Sequence, residues 1–186
     1  MLRLKALTAA LLVAASPLWA VTLGDDGLHK PDWLHETFKD LREDLTEATA
    51  AGKRLMLIVE QRGCIYCTKM HEEVFPDPAI DALIRDNYFV VQINLFGDVE
   101  VTDFDGKVLS EKEMAVRWGV MFTPTLIFLP EEVGADKTAA EAAVAMMPGA
   151  FGKGTTTALL TWIKDHGYDS GEHFQKFLAS RMNAGN

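Results

Sequence analysis

Cys64 and Cys67 are the only cysteines in the chain, and Ile65 and Tyr66 separate them. A single turn of helix at that spacing brings two sulfurs within bonding distance, so the pair can cycle between dithiol and disulfide without unfolding the chain. Upstream, Leu55-Met56-Leu57-Ile58-Val59 reads as a short buried strand, and Thr68 to Glu73 downstream reads as helix. The pair therefore stands where a strand hands over to a helix. Unpaired amides and the dipole at a helix start favour a thiolate over a thiol. Cys64 is the expected nucleophile. Cys67, one turn further in, is the expected resolving thiol that attacks a mixed disulfide from within the protein.

Three other chemistries compete for the same spacing. A structural zinc site needs four ligands, and only His71 lies near the cysteines, with His29, His35, His166 and His173 scattered along the chain. Covalent haem attachment needs histidine directly after the second cysteine, where this chain has Thr68. A static disulfide across so short a loop would restrain little unfolded-state entropy. Redox exchange is the expectation, with no metal and no organic cofactor.

Residues 1–20 carry Arg3 and Lys5, an apolar run from Ala6 to Ala15, and then Ser16-Pro17-Leu18-Trp19-Ala20, the layout of a secretory signal. The run is too short to span a bilayer, and no cysteine follows it to take a lipid, so a soluble periplasmic protein is expected. Cleavage after Ala20 would remove both cations and take the formal charge from −9 to −11. That acidity argues against nucleic acid or anionic lipid as a partner. The expected organisation is an N-terminal extension over 21–35, one principal domain over 36–168, and a C-terminal helix and tail over 169–186.

Several elements must position the cysteines. Phe38, Leu41, Leu45 and Ala48 recur at helical spacing over 36–51, with Gly52 as a stop. Helix after Cys64 should run to Val74 or Phe75, where Pro76 breaks it, and Asp77-Pro78 should start another through Arg85. Tyr88 to Leu95 reads as a second buried strand, parallel to the first because helical sequence separates them. Asp105-Gly106 marks a small hairpin insertion, and Ser110 with Glu113 a capping box that starts a helix ending at Gly119, with Met114 and Trp118 facing inward. Val120 to Leu129 is apolar enough for a core strand yet contains Pro124, and Ala142 to Met147 can pair antiparallel with it. Helices over 156–166 and 170–182 complete the chain, the last aligning Phe174, Phe177, Leu178 and Met182.

This order of elements, together with Cys64-Ile65-Tyr66-Cys67 and Thr123-Pro124, resembles the thioredoxin fold over roughly residues 36–166: a mixed sheet flanked by helices, here with a hairpin insertion and an extra C-terminal helix. The resemblance implies that Pro124 is cis beside the sulfurs and that Thr123 offers its backbone to an extended substrate peptide, a form of strand addition. An ordinary trans proline opening an edge strand is the alternative. More narrowly, the run Gly63 to Val74 resembles exported thioredoxins of sulfur-oxidation systems, called SoxW, whose implied task is keeping periplasmic thiols reduced. Tyr66 is also similar to its counterpart in bacterial disulfide isomerase, but no extra N-terminal dimerisation domain of that kind is evident, so a monomeric reductase is expected. The electron source implied is a membrane thiol transporter of the CcdA or DsbD kind.

Departures from the thioredoxin pattern limit what carries over. Gly63 replaces the tryptophan before the first cysteine, and Ile65-Tyr66 replaces the Gly-Pro pair, so the exchange potential is not inherited. The buried proton-relaying acid would fall at Ile58, leaving Glu60, two residues along the same strand face, either to take that role or to be a solvated strand-end carboxylate. Tyr66 either contacts substrate or shields the disulfide. Arg62 and Lys69 offer weak cationic help at most, and His71 reads as structural. The expected substrate-facing set is Ile65, Tyr66, Thr123 and Pro124.

Overall fold

The computed structural model describes residues 22–184, so the expected export signal lies outside the described residues. The chain enters through a minimal antiparallel ladder, β1 (Thr22–Leu23) and β2 (His29–Lys30). Asp26 holds the intervening turn by accepting from the Leu28 amide and pairing with Lys30. Leu28 and Trp33 are buried, and Leu34 bridges to Val90 at the sheet edge, so this segment is packed against the domain.

Helix α1 spans Leu41–Ala50, several residues shorter at its start than the apolar spacing predicts. Asp40 caps it by accepting from the Arg42 and Glu43 amides, and Lys39 sits at φ 58, which no helix residue can adopt. Thr102 donates to the Lys39 carbonyl, tying this stretch to the hairpin. Phe38 is consequently 94% exposed and not on the buried face, whereas Leu41 and Ala48 are fully buried.

Strand β3 (Arg54–Glu60) is buried along its whole length, pairing in parallel with β4 (Tyr88–Asn94) and antiparallel with β7 (Thr125–Phe128). Between β3 and β4 lie α2 (Ile65–Lys69), a π-helical turn over Met70–Val74, and α3 (Pro78–Asn87), the last capped by Asp77 as predicted. The helix after Cys64 thus changes register at Met70, where the Phe75 amide reaches back five residues to the Met70 carbonyl. The hairpin consists of β5 (Glu100–Thr102) and β6 (Val108–Ser110), followed by α4 (Glu111–Arg117) with the Ser110–Glu113 capping box.

Strand β7 is shorter than the apolar run suggests, because residues 120–124 form a loop that delivers Pro124. A four-residue helix α5 (Ala139–Ala142), boxed by Thr138 and Glu141, leads into β8 (Ala145–Pro148), antiparallel to β7. The sheet order is β4-β3-β7-β8. Helix α6 (Lys153–Lys164) precedes a 3₁₀ turn at Gly167–Ser170, which delays α7 to Phe174–Ala184. Phe174 and Phe177 of α7 pack on the core as half-buried residues.

Alternation along β3 divides the interior. Met56 and Ile58 face Met70, Val74, Ile80, Ile84 and Leu160, while Leu55, Leu57 and Val59 face Leu41, Ala48, Met114 and Trp118. Each leucine, isoleucine, valine or methionine among them contributes about 2 kcal/mol by leaving water. Among the described residues no helix is long and apolar enough to cross a membrane.

Candidate active site

Strand β3 ends at Glu60, and the chain turns at Gly63, whose φ of 70 lies in the left-handed region. That turn sets Cys64 as the cap of α2, where its Sγ accepts from the Cys67 amide at 3.0 Å. Cys64 and Cys67 form a disulfide with a Cα–Cα distance of 5.2 Å. Cys64 is 7% exposed and Cys67 1% exposed, so the first sulfur is the more accessible.

Thr123 is far away in sequence and meets the same sulfur. Its hydroxyl donates to Cys64 Sγ at 3.3 Å, and its carbonyl oxygen lies 3.5 Å from it. The Thr123–Pro124 peptide is cis, and the Pro124 carbonyl accepts from the Gly149 amide at 2.7 Å. A groove of about 810 Å³ opens over Cys64, lined among others by Ile65, Tyr66, Met121, Phe122, Thr123 and Gly149. No charged side chain lines it among the described residues. Ile65, Tyr66, Met121 and Phe122 are all well exposed, giving the sulfur an apolar rim. Met121 and Phe122 were not legible as rim residues, because their apolar run reads as buried strand.

Glu60 is 1% exposed, which removes the solvated strand-end alternative. Its Oε1 lies 2.9 Å from His71 Nε2, and its Oε2 accepts from Gln92 Nε2 at 2.7 Å. Leaving a carboxylate unpaired here would cost several kcal/mol, so His71 and Gln92 are what make its burial tolerable. His71 is equally buried, and its Nδ1 has no partner among the described residues. Two of the histidines scattered along the sequence meet in space: His29 stacks on His71 with ring centroids 4.4 Å apart. Burial, and then the charge of His71, holds the His29 ring below the ordinary histidine range. A usable signal for the pair lay in the sequence, since Glu60 extends the Met56–Ile58 face and His71 follows Cys67 by one turn.

The cations near the motif are placed elsewhere. Arg62 donates to the Asp25 and Asp26 carbonyls, both at 3.1 Å, which commits its guanidinium to the N-terminal segment, and Lys69 is exposed. Donors to Cys64 are therefore the Cys67 amide and the Thr123 hydroxyl.

Against known proteins, a family model described as a thioredoxin-like domain matches residues 41–151. Among solved structures, a thioredoxin-fold protein from Helicobacter pylori is 18% identical with a TM-score of 0.55, over 72% of this chain and 86% of that one. A thioredoxin from Thermus thermophilus is 24% identical with a TM-score of 0.54, over 72% of this chain and 90% of that one. No curated protein matches significantly. The two structures share the fold, and the family match spans β3, the cysteine motif and the Thr123–Pro124 loop; the chain belongs to the thioredoxin-like domain family.

Proposed function

We propose that the protein is an exported thiol–disulfide oxidoreductase of the periplasm, working mainly as a reductase. The observation that carries the exchange chemistry is Cys64 Sγ at the start of α2, held by the Cys67 amide and the Thr123 hydroxyl. Once the disulfide is reduced, the same two donors stabilise a Cys64 thiolate. That thiolate attacks one sulfur of a substrate disulfide, forming a mixed disulfide and releasing the first substrate thiolate. Cys67 gives up its proton and attacks Cys64 Sγ, which releases the second substrate thiolate and closes the Cys64–Cys67 bond. Glu60, buried on the inner face and coupled to His71, supports the role of proton acceptor for Cys67.

The substrate is an extended, apolar segment of protein, or a protein-thiol adduct, aligned by Thr123, Pro124, Ile65 and Tyr66. The uncharged lining supports this choice. Each turnover consumes two electrons, and a membrane thiol transporter of the CcdA or DsbD kind is the donor proposed. The sequence run from Gly63 to Val74 supports a place in sulfur oxidation of the SoxW type.

A second reading, disulfide oxidase or isomerase, is favoured by Thr123 itself, because every donor to a thiolate stabilises the reduced form and raises the potential. Substrate trapping tests the exchange mechanism that both readings share. A Cys67→Ser variant expressed with its leader should accumulate mixed disulfides through Cys64 in the periplasm, whereas a Cys64→Ser variant should accumulate none. Equal trapping by both variants, or none by either, contradicts the assignment of nucleophile and resolving thiol.

A further inference from the structure

Beyond the exchange site, we infer that His29, Glu60 and His71 form a binding site for a divalent first-row transition ion of the zinc class. One ligand atom from each residue lies within 4.8 Å of the others. Two imidazoles and a carboxylate are a donor set that suits zinc and leaves a coordination position open to water. The three come from separate elements, namely β2, the end of β3 and the π-helical turn, so the fold has brought them together.

Two features distinguish this cluster from a plain buried ion pair. Gln92 Nε2 donates both to Glu60 Oε2 at 2.7 Å and to the His29 carbonyl at 2.9 Å, fixing the carboxylate and the strand that carries His29 from one amide. Such outer partners orient metal ligands. Secondly, His71 is held in the core by Nε2 on Glu60 Oε1 at 2.9 Å, the same nitrogen and oxygen that would share an ion, while its other nitrogen, Nδ1, keeps no partner among the described residues and so does not compete for the carboxylate. Lys30 joins this network, its Nζ bonded to Gln92 Oε1 at 2.6 Å and to Asp26 Oδ2 at 2.8 Å, so Asp26 offsets its charge. The stacked His29 and His71 rings must turn for their nitrogens to converge, and His29, half-buried where His71 is fully buried, is the ring that moves.

The test uses the full chain with the Cys64–Cys67 disulfide closed, so that neither sulfur can serve as a ligand. Stripped protein is titrated with Zn²⁺ by calorimetry and with Co²⁺ by visible absorption. One ion per chain is expected, with visible cobalt bands of a low-coordinate nitrogen and oxygen site. His29→Ala, a change at a half-buried position that should leave the fold intact by circular dichroism, should weaken zinc at least tenfold. Gln92→Ala should weaken it about tenfold through loss of orientation alone. Absence of saturable zinc binding by the unsubstituted protein overturns the proposal, as does zinc affinity unchanged in folded His29→Ala protein. Zinc on Glu60 would compete with its role as proton acceptor for Cys67, so disulfide exchange is read separately, by insulin reduction with stripped protein, and a failure to bind zinc leaves that activity in place.

Discussion

At Cys64 the chemistry depends on which groups donate to the sulfur, and one of the two donors is a removable hydroxyl. Thr123→Val keeps the shape of the side chain and deletes the bond to Cys64 Sγ. A hydrogen bond to a charged group is worth about 1.5–3 kcal/mol, so alkylation of reduced Cys64 at neutral pH should slow by about tenfold in the variant. Rates of iodoacetamide modification measure this directly, and an unchanged rate would remove Thr123 from the activation of Cys64. The cysteines were legible from their spacing and Pro124 as an oddity in an apolar run, while the site role of Thr123 and Pro124 followed only from the resemblance to the thioredoxin fold. The contacts of Glu60 were legible only in part. Whether a strand-end carboxylate is solvated or buried depends on His71 and Gln92; strand alternation and the helical turn from Cys67 point towards His71, but nothing local links Glu60 to Gln92, thirty-two residues on in a neighbouring strand.

At the scale of elements, α1 carries a group whose charge opposes folding. Asp44 is buried, and that burial pushes its pKa up to about 6, with the Thr37 hydroxyl opposing the shift and the charges of Glu47, Asp40 and Glu43 adding to it. The folded state therefore holds this proton more tightly than the unfolded chain does. Stability from this group is present below its unfolded value of 3.8 and is lost as pH rises through about 6. Asp44→Asn stays neutral and can still accept from Thr37. It should be more stable than the parent at pH 7.5 by about 3 kcal/mol, with the difference fading towards pH 4. Urea unfolding at the two pH values decides the matter, and a variant less stable at both would contradict the burial argument. Element types were readable from periodicity, caps and turn residues, while their ends were set by contacts the sequence hides. The apolar spacing that includes Phe38 suggested an earlier start for α1, but the Asp40 cap and the tie from Lys39 to Thr102 fix it at Leu41. Likewise, the apolar run before Pro124 reads as strand, although it is loop around the sulfurs.

On the scale of the whole molecule, the segment before α1 belongs to the core. Trp33 packs edge-on against Phe75 and lies parallel to His71, joining the chain entry to the helical layer that carries Cys67. Trp33→Ala should cost about 3–5 kcal/mol in chemical denaturation, and a loss below about 1 kcal/mol would show the segment to be merely draped on the surface. The parallel β3–β4 unit and the flanking helices followed from hydrophobic pattern together with cap and turn residues. The docking of 22–35 did not, since two-residue strands and a lone tryptophan leave no periodic trace. Fold and cysteine placement together make a redox couple whose direction rests on one quantity. Equilibrating the protein with thiol buffers of known potential measures the Cys64–Cys67 couple. The reductase account predicts a value near the thioredoxin range of about −270 mV together with catalysed insulin reduction; a value near about −120 mV, the range of a strong oxidant, would contradict it.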